Sequence, residues 1–102
     1  MTTLVCKNTT FFSQLDELSF FERIDQIKCI KSWEGISDNI VLHIKTKSIS
    51  DNCLRELISL FHRYKIEMSQ LSCFLTEKNK NWFLDNKKSY WHKQVFKNYQ
   101  FK

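Results

Sequence analysis

The chain has 102 residues and a formal net charge of +5, with nine Phe, one Gly and no Pro. This length and apolar content predict one domain, residues 1–102, folded around its own core. One Gly excludes a glycine-rich phosphate loop, and no apolar run approaches the roughly 18 residues of a membrane-spanning helix.

The first predicted elements are a short edge strand at residues 3–7 and a helix at about 11–23. Ser13 with Asp16 matches the capping-box pattern, in which each side chain satisfies a backbone N–H at the start of a helix. Approximate helical spacing predicts that one set of residues faces the core. That set is Phe11, Leu15, Leu18 and Phe21 or Glu22.

A β-hairpin is predicted next. Residues 26–33 form its first strand with imperfect alternation, and residues 40–46 form the clearest strand of the chain. The polar residues 34–39 between them predict the turn, in which Gly35 and Asn39 can adopt a positive φ.

The strongest helical pattern covers residues 51–64. Ser50 is a natural N-cap, because its hydroxyl can accept a bond from a backbone N–H that lacks a helical partner. Apolar residues at i, i+3, i+4 and i+7 predict one stripe that packs against the sheet. These residues are Leu54, Leu57, Ile58 and Phe61.

Two further helices are predicted at about 67–76 and 86–97, separated by a polar loop at 76–81. The complete prediction is an α+β fold. It has an N-terminal helix, a small antiparallel sheet to which residues 3–7 can add a third strand, and helices packed on one face.

The N-terminus contains neither the basic nor the continuous apolar segment of a secretory signal, so we expect a cytoplasmic protein. The four cysteines are widely spaced, without a Cys-x-x-Cys pair. This favours reduced, half-buried thiols over a disulfide framework, and it predicts neither a metal site nor a cofactor.

Charge is distributed unevenly along the chain. Residues 1–51 hold six Lys/Arg and seven Asp/Glu, a net charge of −1. Residues 52–102 hold ten Lys/Arg and four Asp/Glu, a net charge of +6. Lysines interleaved with aromatic residues are typical of proteins that grip single-stranded nucleic acid, although a solvated helix face gives the same pattern. The residues of this predicted basic surface are Lys78, Lys80, Lys87, Lys88 and Lys93.

Residues that could support catalysis are few. His43, His62 and His92 are the only histidines, and no acidic residue stands at a spacing that would orient them. Cys53 or Cys73 could act as a nucleophile beside His62, but both lie near apolar stripes, which favours core packing. We therefore expect a protein that is not an enzyme.

The run from Arg63 to Phe96 resembles the C-terminal part of small bacterial immunity proteins of contact-dependent growth inhibition and related polymorphic toxin systems. The likeness lies in RYKIEMSQL, in the Asn81–Phe83 anchor, and in Tyr90-Trp91 leading to Val95-Phe96. It covers about a third of the chain. The resemblance implies a non-enzymatic cytoplasmic protein that binds a cognate toxin domain and blocks its active site or substrate entry.

Many toxins of these systems are nucleases, which expose a basic cleft to nucleic acid. Acidic side chains of the immunity protein would complement such a cleft. The predicted toxin-binding residues are therefore Asp16, Glu17, Glu22, Asp25, Glu34 and Asp38. The alternative is a small basic nucleic-acid-binding protein of the kind that a phage could carry.

Overall fold

The computed structural model describes residues 2–7, 9–46 and 48–99. These residues form three strands, four α-helices and one 3₁₀ segment. In chain order the elements are β1 (Thr2–Lys7), α1 (Gln14–Gln26), β2 (Ile30–Ile36), β3 (Asn39–Ile44), α2 (Asp51–Arg63), the 3₁₀ segment (Met68–Phe74), α3 (Lys80–Phe83) and α4 (His92–Val95). The α+β prediction is confirmed, except that a strand precedes the first helix.

The three strands form one antiparallel sheet in the order β1-β3-β2. β1 pairs with β3 in a register that places Leu4 opposite Leu42, so residues 3–7 do contribute the third strand. One face of the sheet is buried, because Leu4, Leu42 and Ile44 are almost fully inaccessible to solvent. None of the helices among the described residues is long and apolar enough to cross a membrane.

The turn between β2 and β3 is tighter than predicted. Ile36 pairs with Asn39, which leaves only Ser37 and Asp38 in the turn. Ser37 has a φ of 58°, as two-residue hairpin turns require at their first central residue, while Gly35 has no positive φ. The turn therefore lies within the predicted residues 34–39, but the expectation of a positive φ at Gly35 and Asn39 was wrong, because both belong to strands.

Helix α1 begins three residues later than predicted, and its start confirms Ser13 as the N-cap, although Asp16 bonds the residue before the cap rather than the cap itself. The Asp16 N–H donates to Ser13 Oγ at 3.2 Å, and Asp16 Oδ2 accepts the N–H of Phe12 at 3.2 Å. The predicted core stripe was wrong at Leu15 and Leu18, which are exposed, whereas Phe11 and Phe21 do pack against the core. The residues that α1 buries fully are Phe20 and Ile24.

Aromatic packing explains which face of α1 is buried. The Phe20 ring lies 5.4 Å from that of Phe11 and 4.9 Å from that of Tyr64, between ring centroids. The Tyr64 hydroxyl also donates to the Asp16 carbonyl at 3.3 Å. These contacts turn the Phe20 side of α1 towards the core, because aromatic side chains bury more area than leucines.

Helix α2 agrees with the prediction. The N–H of Cys53 donates to Ser50 Oγ at 3.1 Å, which confirms the N-cap. All four residues of the predicted stripe are buried, and Leu60 is buried with them. The core formed around this helix takes side chains from every strand and helix described here. The Cα radius of gyration is 13.6 Å, close to the roughly 13 Å of a compact chain of this length.

Residues 68–74 form a 3₁₀ segment rather than the predicted α-helix. Met68, Leu71 and Phe74 are its buried residues, and their spacing of three matches the three residues per turn of a 3₁₀ helix. The side chain of Gln70 bonds the backbone of Val5 twice, accepting its N–H at 2.7 Å and donating to its carbonyl at 2.9 Å. The segment therefore occupies the outer edge of β1.

Only residues 92–95 of the predicted helix 86–97 are helical, as α4, and α3 begins inside the predicted loop 76–81. Hydrogen bonds from two buried polar side chains stabilise the backbone of residues 74–92 in this arrangement. Asn79 donates to the Phe74 carbonyl at 2.9 Å, and His92 Nε2 donates to the Leu84 carbonyl at 2.7 Å. A continuous helix through residue 86 would break the His92 bond and leave a buried ring nitrogen without a partner.

Candidate partner-binding surface

Four residues on the solvent side of α1 form a continuous stripe, the α1 outer face. Leu15, Leu18, Glu22 and Asp25 follow one another at i, i+3, i+7 and i+10, which aligns them on one side of a helix. Leu15 is 73% exposed and Leu18 is 57% exposed. Two leucines thus lie in line with two exposed carboxylates.

Apolar exposure extends beyond both ends of this stripe. Phe12, just before the N-cap, is 83% exposed. Trp33 on β2 is 42% exposed, and its ring centroid lies 4.6 Å from that of Phe21. Because Phe21 is three residues from Leu18, it connects the stripe to Trp33 along the helix surface. Scattered exposed apolar residues are ordinary, but a contiguous set is typical of protein-binding surfaces.

A cleft of about 420 Å³ adjoins Phe12 between α1 and the end of α2. Arg23, Arg63 and Lys65 line it together with Asp16. The charge next to the α1 outer face is therefore positive on this side. A partner that covers both regions would need basic groups over the stripe and acidic groups over the cleft.

The predicted acidic residues do not form one patch. Asp16, Glu17, Glu22 and Asp25 all belong to α1, whereas Glu34 lies on β2 and Asp38 in the hairpin turn. Trp33 faces α1, so alternation along the strand turns Glu34 to the other face of the sheet. There Glu34 Oε1 lies 3.4 Å from His43 Nε2.

The predicted basic surface is exposed, but it is spread over several elements. Lys78 precedes α3, Lys80 begins it, Lys87 and Lys88 follow it, and Lys93 lies on α4. Of the seven aromatic residues interleaved with these lysines, Phe83, Trp91 and Phe96 pack in the core, and Trp82 packs against it. Tyr90 and Tyr99 are exposed, and Phe101 lies outside the described residues.

The three histidines lie on separate elements. His43 lies on β3 beside Glu34, the His62 ring contacts the Tyr90 ring at 4.5 Å, and His92 is buried against the Leu84 carbonyl. Cys53 contacts Cys29 and Ser50. Within residues 2–7, 9–46 and 48–99, no group of three or more His, Cys, Asp or Glu side chains is arranged to hold a metal ion.

The exposed leucines were missed because they were assigned to the core. The local pattern of α1 contains two overlapping apolar stripes, one through Leu15 and Leu18 and one through Phe20 and Ile24. A helix of a small domain buries one stripe, so the presence of two was itself a signal that one stays exposed on the surface. No protein-family model matches the sequence, and neither curated protein sequences nor solved structures give a significant match.

Proposed function

We propose that this protein is an immunity protein that binds a cognate toxin domain through the α1 outer face and neutralises it by occlusion. The observation that carries this proposal is the alignment of exposed Leu15 and Leu18 with Glu22 and Asp25. The class of partner comes from the resemblance of residues 63–96 to immunity proteins. Such a protein forms a stoichiometric complex in the cytoplasm and performs no chemical step.

The chemistry of the surface suits the basic cleft of a nuclease domain. Carboxylates opposite lysines and arginines raise the association rate, because they steer the encounter over several ångströms. Buried leucines at the centre of an interface slow dissociation, since they must be rehydrated when the complex separates. In this scheme Glu22 and Asp25 govern capture, and Leu15 and Leu18 govern the lifetime of the complex.

A charge-reversal experiment tests the capture step. Glu22→Lys with Asp25→Lys should lower the association rate with the toxin domain encoded beside this gene by roughly tenfold at low salt. The matched control is Glu77→Lys with Asp85→Lys, which makes the same change of net charge at exposed positions before and after α3. The measurement is stopped-flow association with circular dichroism as the folding control. Equal slowing by both pairs would contradict a role for the α1 outer face.

A second variant pair tests the contact itself. Leu15→Ala with Leu18→Ala should accelerate dissociation and abolish protection of cells that express the toxin, while leaving the fold intact. Ile36→Ala is the control, because it also truncates an exposed apolar residue but lies near the hairpin turn. Full protection by the leucine variant would reject this surface.

The alternative function is binding of single-stranded nucleic acid. It is favoured by the exposure of all five predicted lysines. If it holds, a fluorescent single strand should bind at micromolar concentration or below at physiological salt, with a steep salt dependence. Replacing Lys87, Lys88 and Lys93 by Ala should then flatten the slope of log affinity against log salt. Binding with these properties would displace the immunity proposal.

A further inference from the structure

Two cysteines from distant parts of the chain meet at one corner of the sheet. Cys29 is buried in the turn between α1 and β2, and its carbonyl accepts the N–H of Lys45 at 3.1 Å. Cys53 is half-buried in the first turn of α2, where its own N–H donates to Ser50 Oγ at 3.1 Å. Backbone hydrogen bonds thus hold both residues in place, and their thiols lie close enough to interact with one another.

The two thiols differ in reactivity. Burial raises the pKa of the Cys29 thiol to about 12, and the neighbouring Cys53 adds to this effect. Burial also acts to raise the pKa of Cys53, but hydrogen bonds from Ser50 and Cys29 and the nearby charge of Lys28 outweigh it. The pKa of Cys53 therefore lies below its ordinary value. Because the thiolate is the nucleophile, Cys53 is the thiol that reacts first.

We propose that Cys29 and Cys53 form a reversible oxidation site that takes a low-molecular-weight disulfide as its co-substrate. The Cys53 thiolate attacks one sulfur of that disulfide, which breaks its S–S bond, releases one thiolate and leaves a mixed disulfide on Cys53. Cys29 then loses its proton and attacks the Cys53 sulfur, which releases the second small thiolate. The two thiolates take up the two protons, so the protein loses two electrons and two protons and the small disulfide is reduced to two thiols.

The new bond would close a covalent loop around the whole β2–β3 hairpin, residues 30–44. It would join the corner between α1 and β2 to the start of α2. The native fold already holds the thiols near one another, so their effective concentration is far higher than in the unfolded chain. The equilibrium constant for oxidation of the Cys29–Cys53 pair by glutathione disulfide should therefore be at least about tenfold larger in the folded protein than in denaturant.

The experiment equilibrates the reduced full-length protein with glutathione redox buffers under native conditions and then quenches it with acid. The oxidised product should have lost the mass of two hydrogen atoms and should retain two of its four thiols. Trypsin should release residues 29–31 joined to residues 48–55. A disulfide between any other pair, four free thiols at equilibrium with glutathione disulfide in excess, or an equilibrium constant no larger than in denaturant would overturn the proposal.

Three variants separate the roles of the cysteines. Cys53→Ser should abolish the intramolecular disulfide, and Cys29→Ala should accumulate glutathione on Cys53, because the resolving thiol is missing. Cys73→Ser is the matched control, since it removes an exposed thiol outside the pair and should oxidise like wild type. An intramolecular disulfide in Cys53→Ser would refute the assignment even if Cys29→Ala failed to fold.

Discussion

The same substitution at two leucines tests which apolar surface is core and which is exposed. Leu57 on α2 is 0% exposed, whereas Leu15 on α1 is 73% exposed. Leu57→Ala removes fully buried methyl groups and leaves a cavity, at a cost of about 2–5 kcal/mol in the free energy of unfolding. For a domain of this size a loss of about 3 kcal/mol lowers Tm by roughly 12–24 °C.

Leu15→Ala should behave in the opposite way. Its side chain is mostly in water in the isolated protein, so truncation should change the free energy of unfolding by no more than about 0.5 kcal/mol. Alanine also has the higher helix propensity, which offsets the small loss of contact. Urea denaturation followed by circular dichroism measures both variants, with unchanged m-values as the check that the denatured state is comparable. A cost above about 1.5 kcal/mol for Leu15→Ala would refute the orientation of α1 and the surface built on it. A cost below about 1 kcal/mol for Leu57→Ala would refute the burial of the α2 stripe.

Two further predictions concern the polar contacts of the 3₁₀ segment. Gln70→Ala should lower the free energy of unfolding by about 1–3 kcal/mol in urea melts, because it leaves the part-buried N–H and carbonyl of Val5 without their partner; an unchanged midpoint would show that water replaces the amide at the edge of β1. Hydrogen bonds from Lys97 and Ser69 hold the pKa of Glu67 below its ordinary value, so Lys97→Ala should raise that pKa towards 4.5. An NMR titration of the Glu67 carboxyl carbon measures it. Any stability that the pair contributes is present at neutral pH and is lost as the pH falls through the folded-state pKa; a pKa that does not rise in Lys97→Ala would exclude the ion pair in solution.

Helix α2 could be predicted from the sequence because its determinants are local. Ser50 caps a backbone N–H only three residues away, and the apolar stripe through Leu54 and Phe61 repeats every three to four residues. The spacing of these residues in the sequence is therefore enough to predict the helix. β3 was predictable for the same reason, since alternation is a local property. The hairpin turn was predicted too long, because Ser37, rather than Gly35, adopts the positive φ. Propensity favours glycine at such a position, and strand pairing overrode it.

The α+β class and the extent of α2 were therefore determined by the sequence alone, since periodicity and capping act over a few residues. Tertiary structure decided which stripe of α1 is buried. The rings that select the Phe20 side include that of Tyr64, which approaches only when α1 and α2 pack. The break before α4 depends equally on a distant partner, because His92 is satisfied by the Leu84 carbonyl. The α1 outer face is exposed as a consequence of this packing, which local periodicity cannot encode when a helix carries two apolar stripes.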